Sequence, residues 1–430
     1  DDKYSSLTKP VKSYVSPMGD LVDMFGDGSS ASRTESTSRY YQLTATNTAE
    51  YIFDINKKHM FTVLLGQEAI ISKSDGFSAY RAGLSDPDLT LITNATEEPV
   101  VSQSVVETVF NSFFGEASYN YSDKYFFSAS LRRDGSSKFS NDNRWSTFWC
   151  IGGRWNMMKE NFMENFKPWL NQLDLKASYG TTGNSSIGDY AYFGLVSGQG
   201  VQYNGENGLI LSQSSVKDLT WETVAQANIG FEARVFDRFT LGFEYYHKKT
   251  SDLLFWTSIP ESSGSRGMYD NIGDILNYGV ELSLNATLVR SRLVDWSVFG
   301  NLSHNKTRIL PLPPSKILDG GFSESANGYL AYYYREGGEL NNYYAPCYAG
   351  VDELGQAMFY KDVVKVDAEG KETVIEKGTT TYDFNDATKY EHGSILPKVF
   401  GGFGTELRIA GFDLSLMFDY LKQKTSFCQG

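Results

Sequence analysis

The sequence predicts an all-β protein, a transmembrane antiparallel β-barrel, and three observations support this fold class. Long runs of strictly alternating apolar and polar residues occur in pairs joined by tight turns, which is the pattern of β-hairpins. Many runs reach about ten residues, the length that a tilted strand needs to cross a bilayer. The connections between runs alternate between short and long, as in outer-membrane barrels, which have short periplasmic turns and long extracellular loops.

The clearest hairpin lies within residues 219–250. Apolar residues occupy every second position of 225–235, and the alternation resumes over 239–246. A two-residue turn, predicted at Asp237-Arg238, joins the two runs. Both runs are longer than the roughly five or six residues that are usual for strands of globular sheets, so this hairpin predicts a membrane-spanning pair of strands.

Five further hairpins repeat this pattern, so about twelve strands are predicted. In chain order these are 39–55, 59–71, 113–121, 125–132, 144–156, 173–180, 225–235, 239–246, 278–286, 296–302, 403–409 and 412–420. The short connections are predicted at 56–57, 122–123, 157–169, 237–238, 290–294 and 410–411. Within the third of them, residues 158–168 predict a short helical turn rather than a strand.

Polar segments without alternation separate the hairpins and are predicted as loops. They are 1–37, which is a loop or connection, then 72–104, 134–143, 181–218, 253–271, the long extracellular loop 305–397, and 423–430, the start of a further loop. Residues 38–422 are therefore expected to form one partial barrel domain.

The charged residues of the strands indicate which face meets lipid. A Lys or Arg that faces lipid at mid-membrane costs roughly 2–4 kcal/mol. The charged residues occupy the polar faces of their strands, as Arg132, Lys176, Glu232, Glu244 and Glu281 illustrate. The polar faces are therefore predicted to line the interior and the apolar faces to meet hydrocarbon.

Aromatic residues next to the short turns fit the interfacial girdle of a membrane barrel. They include Trp155, Trp169, Phe236 and Phe239. The Gly, Ser, Asn and Glu side chains predicted to face inward cannot fill the lumen of a barrel of about twelve strands. The interior is therefore expected to be an open channel or to be filled by a plug.

Composition excludes several classes of function. The net charge of −13 and pI near 4.9 argue against binding to nucleic acid, which needs a basic surface. Cys150, Cys347 and Cys428 lie far apart, so no disulfide framework is predicted. The four His residues are scattered without ligand spacing, so no metal site is predicted. No catalytic constellation is present, so we expect neither an enzyme nor a cofactor.

Two short motifs resemble ligand loops, but both are predicted to be structural. Residues 178–184 (SYGTTGN) lack the ending of a phosphate-binding loop and are predicted to be a strand end entering a loop. Asp352, Glu353 and Gly355 lack the rest of a calcium-loop pattern. They are predicted to form a β-turn.

Seven segments in order carry a resemblance to a known family. They are FFGEASYNYSDKYFFSASLRRDGSSKF (113–139), GRWNMMKENFM (153–163), LDLKASYGTTGNSSIGDY (173–190), LTWETVAQANIGFEARVF (219–236), FEYYHKKTSDLL (243–254), YDNIGDILNYGVELSL (269–284) and GVDELGQAMFY (350–360). The chain thereby resembles the SusC/RagA family of TonB-dependent outer-membrane transporters from Bacteroidetes, over most of residues 110–420.

The resemblance implies a barrel of about 22 strands, closed by an N-terminal plug and capped by a SusD-like surface lipoprotein. Members import oligosaccharides or peptides, driven by the TonB–ExbB–ExbD complex. The sequence shows no plug and no TonB box, and it accounts for about twelve strands. We therefore expect the C-terminal barrel portion of such a transporter, located in the outer membrane of a Gram-negative bacterium of the Bacteroidetes.

Exposed aromatics in the predicted loops are the candidate substrate-binding residues, foremost Trp256, Tyr343 and Tyr344. They would stack on sugar rings or receive peptide side chains. In the alternative interpretation they pack loop against loop or against the lipoprotein cap, because a loop of this length needs a core of its own.

Three functional hypotheses remain open on the sequence. The first is nutrient import, with a glycan or peptide as substrate, membrane lipid around the wall, and the lipoprotein and TonB complex as partners. The second is a barrel of the same architecture that acts mainly in binding or assembly. The third is a secreted all-β carbohydrate-binding protein, which would be soluble without detergent.

Overall fold

A computed structural model describes most of the chain. The described residues are 2–8, 14–15, 21–22, 31–84, 88–198, 202–258, 262, 264–265, 267–310, 321–325, 331–366 and 372–422. Within them, no helix is long and apolar enough to cross a membrane.

One antiparallel sheet of 13 strands organises the fold. Its strands are β1 (Asp2–Thr8), β2 (Ser32–Ile55), β3 (His59–Ala82), β4 (Val100–Tyr121), β5 (Tyr125–Ser136), β6 (Trp145–Asn156), β7 (Leu170–Asn184), β8 (Glu222–Val235), β9 (Phe239–Ser251), β10 (Ile275–Arg290), β11 (Val294–Ile309), β12 (Val399–Ile409) and β13 (Phe412–Lys422). Each strand pairs with the strand that follows it in this order. This up-and-down order is that of membrane barrels, and it confirms the predicted fold class.

All twelve predicted strands are present in this sheet, but several extend beyond the predicted bounds. The prediction of a loop over 1–37 is wrong for 2–8 and 32–37, because Asp2–Thr8 pairs with 32–38. Similarly, 72–82 and 100–104 belong to β3 and β4, not to a loop. These extensions carry polar residues on both faces. Where both faces of a strand meet water, no alternation is required, so the sequence gives no period-two signal.

Tight turns close the hairpins at one end of the sheet. Four of them have central residues with positive φ, at Asn56-Lys57, Ser122-Asp123, Phe236-Asp237 and Ala410-Gly411. Two consecutive positive φ angles define the type I′ turn, whose twist matches that of the flanking strands. The turn predicted at 237–238 is therefore shifted by one residue, and Arg238 N–H donates to Val235 C=O at 3.1 Å to close it.

The connection between β6 and β7 is the exception at this end. It contains two 3₁₀ helices, Met157–Lys159 and Asn161–Phe166, which confirms the predicted helical turn. We refer to residues 157–169 as the rim segment.

The connections at the other end are long, and they contain secondary structure of their own. Small antiparallel pairs join Tyr14–Val15 to Leu21–Val22, Leu195–Ser197 to Ile210–Gln213, Gln202–Tyr203 to Glu206–Asn207, and Leu254–Ser258 to Gly267–Asn271. Ile92–Asn94 is a 3₁₀ helix. Between β11 and β12 lie a sheet of Gly321–Ser325, Ala331–Arg335, Asn342–Pro346 and Lys389–Ser394, and a second sheet of Tyr348–Val351, Ala357–Val366 and Glu372–Thr381. The segment 305–397 is therefore not an unstructured loop, and residues 423–430 lie outside the described residues.

Candidate functional site

The strand register aligns apolar residues of neighbouring strands on one face of the sheet. Leu175 pairs with Phe231, which pairs with Phe243, then Leu282 and Leu302, each on the next strand. Cross-strand partners point to the same side of a sheet, so these residues form a continuous apolar row. We call this side the apolar face.

The neighbouring row, one residue along each strand, lies on the opposite polar face. Arg154 pairs with Lys176, which pairs with Gly230, then Glu244 and Glu281. The row therefore runs from two cations to two anions across five strands. Glu244 and Glu281 lie directly opposite each other, which is an unfavourable arrangement for like charges.

The sheet is concave on its polar face. A hollow of about 1010 Å³ lies against it, and most lining side chains come from the polar rows. They include Asn120, Ser128, Arg154, Lys176, Ser178, Asn228, Glu232, Glu244, Glu281, Ser283, Asn301 and Ser303. The prediction that the polar faces line the interior is thus confirmed.

A hydrogen-bonded cluster near the turns fixes part of this interior. Lys176 Nζ lies 2.8 Å from Glu232 Oε2. Gln172 Nε2 donates to Glu232 Oε1 at 3.1 Å and to Asp174 Oδ2 at 2.9 Å. The Gln172 amide thus bridges the carboxylates of Asp174 and Glu232, which lie on adjacent strands, and the Lys176 ammonium binds the second of them.

A second cluster lies farther from the turns, where Arg132 bridges three strands. Its guanidinium donates to Asp134 at 2.6 Å, to Ser112 at 2.9 Å and to Glu68 at 3.4 Å. The same group lies over the ring of Phe114, 5.4 Å from its centroid. The wall of the interior is therefore tied across strands by charged side chains as well as by its backbone.

At the end of the sheet opposite the tight turns, the long connections pack around a buried aromatic cluster, which we call the mouth cluster. Trp221, which is 3% exposed, packs with Phe139, Phe148 and Leu219, and its indole N–H donates to Arg144 C=O at 3.1 Å. Phe148 pairs with Arg132 across β6 and β5, so this cluster lies on the polar side of the sheet. This cluster is not predicted from the sequence, although a Phe on a polar face and a Trp in a polar segment are signals that point to it.

The first candidate substrate residue, Trp256, lies in the hairpin Leu254–Ser258/Gly267–Asn271. It is 40% exposed and contacts Tyr269 edge to face, with 5.1 Å between ring centroids. Its neighbour Phe255 points to the opposite face and contacts Tyr334. Trp256 therefore faces away from the Tyr334 side of this hairpin.

The other candidates, Tyr343 and Tyr344, belong to stacked tyrosine pairs. Tyr343 stacks on Tyr332 at 5.7 Å, and Tyr344 stacks on Tyr333 at 4.7 Å. The pairs lie on opposite faces of their small sheet, because adjacent residues of a strand alternate. The structure thus places the two tyrosines on opposite faces of one small sheet and Trp256 in a different hairpin.

The segment 178–184 is the end of β7 entering a loop, as predicted. The Asp352 carboxylate accepts the N–H of Gln356 at 2.8 Å and of Leu354 at 2.9 Å. These hydrogen bonds, above all that from Gln356, hold the pKa of Asp352 below its usual range. With Gly355 at φ 83°, they confirm a turn. Within the described residues no group of three or more His, Cys, Asp or Glu could hold a metal ion.

Several known proteins are similar to this chain. TonB-dependent receptor P3 of Formosa agariphila is 33% identical over 73% of this chain and 32% of its own length. TonB-dependent receptor SusC of Bacteroides thetaiotaomicron is 30% identical over 71% of this chain and 30% of its own length. The chain spans about a third of the length of these curated relatives.

Solved structures of outer-membrane transporters are also similar to this chain. The RagAB peptide transporter superposes with a TM-score of 0.78 at 28% identity, covering 97% of this chain and 44% of that one. The closed-closed state of the RagAB peptide importer gives 0.75 at 29% identity, covering 91% and 42%. The sequence also matches the family described as TonB dependent receptor-like, beta-barrel over residues 4–400. The chain therefore belongs to the TonB-dependent receptor β-barrel family.

Proposed function

We propose that the protein containing this chain imports a nutrient across the outer membrane of a Gram-negative bacterium of the Bacteroidetes. The observation that carries this proposal is the register, which gives the same sheet a continuous apolar face and a concave, charged polar face. A wall of this kind separates hydrocarbon from an aqueous passage. The similarity to SusC and to RagAB supports transport and not catalysis.

The proposed energy source is the TonB–ExbB–ExbD complex, acting through a plug, and the proposed partner is a SusD-like surface lipoprotein. The relatives are TonB-dependent receptors. The relevant test is uptake of a labelled nutrient by cells that produce the protein, with and without TonB. Loss of uptake in the absence of TonB is expected, and uptake that persists without TonB would contradict energy coupling.

The proposed substrate is an oligosaccharide or a peptide. The RagAB neighbours are described as peptide importers, and a lumen wall that carries Arg154, Lys176, Glu244 and Glu281 offers charges of both signs to a zwitterionic chain. Stacked tyrosines equally suit the flat faces of sugar rings. Purification with the bound lipoprotein, followed by mass spectrometry of the retained material, distinguishes the two classes.

We further propose that Trp256, Tyr343 and Tyr344 contact this substrate. Each single Ala variant is expected to weaken substrate binding by about 2- to 10-fold, the range of aromatic contacts worth about 0.5–1.5 kcal/mol. Leu354→Ala is the matched control, because Leu354 is a 92% exposed side chain in the long connection that also contains Tyr343 and Tyr344. Unchanged binding in all three variants would assign these rings to loop packing.

A barrel that acts only in binding or assembly is the second candidate. It would show the same lipoprotein association without TonB-dependent uptake. A secreted carbohydrate-binding protein would remain in plain buffer without detergent, which the continuous apolar face argues against.

A further inference from the structure

The rim segment folds back onto the apolar face of the sheet. Met158 and Met163 are buried against Ala233 and Leu173, and Ala233 belongs to the face that also carries Leu241. Ala233 is only 9% exposed, whereas Leu241, its cross-strand partner, is 39% exposed. The segment therefore covers part of the wall that faces lipid.

A carboxylate fastens the segment to that same wall. Glu160 Oε1 accepts from Tyr125 OH at 2.5 Å and from Trp155 Nε1 at 3.2 Å. Its other oxygen accepts from Lys124 Nζ at 3.2 Å. Tyr125 and Trp155 are cross-strand partners, and Trp155 pairs in turn with Leu175 of the apolar face. Both contacts thus lie outside the interior.

The surface that the segment turns away from the wall is aromatic. Phe162, Phe166 and Trp169 are 58%, 42% and 41% exposed, and Phe236 in the next turn is 60% exposed. Phe166 contacts Trp169 at 5.9 Å and Trp169 contacts Phe236 at 6.5 Å between ring centroids. Phe166, Trp169 and Phe236 therefore form a contiguous patch, and Phe162 extends it along the wall by contacting Trp155 edge to face, with 6.4 Å between ring centroids.

The segment also carries a cation, Lys159, at its surface. Lys159 is exposed and has no ion pair within the part of the chain that the structure describes, whereas Lys167 pairs with Glu164 at 2.5 Å. Glu160 is already held by the wall. The unpaired charge of the rim segment is therefore positive, which complements a lipid phosphate.

Depth along the wall places this patch at a bilayer boundary. Phe239 and Lys249 lie on the same face of β9 and are about ten residues apart, roughly 25 Å of depth for a tilted strand. That matches the apolar band of about 25 Å in outer-membrane barrels. The rim segment lies beside the Phe239 end, where aromatic rings concentrate in membrane proteins.

We propose that the rim segment is an interfacial anchor that binds glycerophospholipid on the outside of the wall. The rings of Phe162, Phe166 and Trp169 occupy the acyl–glycerol level, and the Lys159 ammonium lies at the phosphate level. The segment is thus a membrane-contacting element and not a turn exposed to the aqueous compartment.

The test is a depth profile of the full-length protein in phosphatidylglycerol-containing vesicles, measured by nitroxide spin labels. Single cysteines replace Lys159, Phe162 and Phe166 in a background without other cysteines. Leu282→Cys serves as the lipid reference, and Asp142→Cys, in an exposed loop, serves as the water reference. Collision rates with oxygen and with a polar nickel chelate give the depth of each label.

The expected order of increasing depth is 142, then 159, then 166 and 162, then 282. Labels at 162 and 166 with the collision ratio of position 142 would overturn the proposal. A label at 159 as deep as the one at 282 would overturn the assignment of its ammonium to the phosphate level. Heat-modifiable migration on gels verifies that each variant is folded, and position 166 suffices if the 162 variant does not fold.

Discussion

The hydroxyl of Tyr125 donates a 2.5 Å hydrogen bond to the carboxylate of Glu160, and so joins strand β5 to the rim segment. This bond, together with that from Lys124, holds the pKa of the Glu160 carboxyl below its usual range. A carboxyl with a lowered folded-state pKa stabilises the fold above its unfolded pKa, and loses that contribution as pH falls through the folded pKa.

Glu160→Gln should therefore lower the unfolding temperature at neutral pH, and the difference from the parent should vanish in acid. Thermal unfolding in detergent, measured as a function of pH, checks this. Glu164→Gln is the control, since the Glu164 carboxylate pairs with exposed Lys167 and its replacement should have little effect. A deficit of the Glu160→Gln variant that persists unchanged in acid would contradict the role of the charged form.

A charge on either face of one strand tests the assignment of the wall. Leu282 lies in the apolar row, and Ser283 lines the hollow. Leu282→Arg should destabilise the folded protein in lipid by roughly 2–4 kcal/mol, and Ser283→Arg by far less. Denaturant unfolding from vesicles measures both, and equal costs would contradict the assignment of the two faces.

Phe148 and Gly183 form a close contact at the mouth. A Cβ on residue 183 would lie 2.0 Å from Phe148 Cζ, and Phe148 is itself held against Trp221 at 5.8 Å between ring centroids. Gly183→Ala should therefore cost about 1–3 kcal/mol through overpacking. Limited proteolysis of the loop 185–221 should become faster.

The double variant Gly183→Ala/Phe148→Ala separates this contact from a general weakening of the strand. Phe148→Ala alone should cost about 3–5 kcal/mol by leaving a cavity. In the double variant the new methyl group occupies part of that cavity, so the combined loss should be smaller than the sum. Strict additivity would show that the two residues do not interact.

Tyr390 and Asp362 provide a test at high pH within the long connection between β11 and β12. The Tyr390 hydroxyl donates to Asp362 at 2.7 Å, and burial, followed by this hydrogen bond, raises the pKa of Tyr390 from 10.0 to about 12. The neutral phenol thus stabilises the fold below the unfolded pKa of 10.0, and this contribution is lost as pH rises through about 12.

In the Tyr390→Phe variant, spectrophotometric titration should show one tyrosine fewer ionising near pH 12 than in the parent protein. Asp362→Asn should instead lower the pKa of Tyr390 toward its ordinary value, because the substitution removes the adjacent negative charge. An unchanged titration curve in both variants would contradict the contact.

The sequence predicted the parts of this fold that the bilayer constrains. Alternation alone predicts that Phe231, Leu241 and Leu282 share the lipid-facing side, and the register confirms their common face. The extensions of β2 and β3 were missed because both of their faces meet water, so neither face needs to be apolar.

Contacts between segments that are distant in the sequence are harder to predict from it. Met158 and Met163 pack against Ala233, which lies about seventy residues later in the sequence. No local sequence pattern encodes such a contact. For the same reason the mouth cluster around Trp221 was missed. Tyr343 and Tyr344 were recognised as aromatic, but their stacking on Tyr332 and Tyr333 follows from the small sheet that holds them.

The hairpin of β2 and β3 is far taller than a membrane. Each strand contains 24 residues, which at about 3.3 Å per residue and a tilt near 40° rises roughly 60 Å. Less than half of that height fits within hydrocarbon, so the remainder stands in water as a stiff screen along one side of the entrance. Because this part of the hairpin carries polar side chains on both faces, it projects beyond the bilayer without needing a lipid or protein cover on either side.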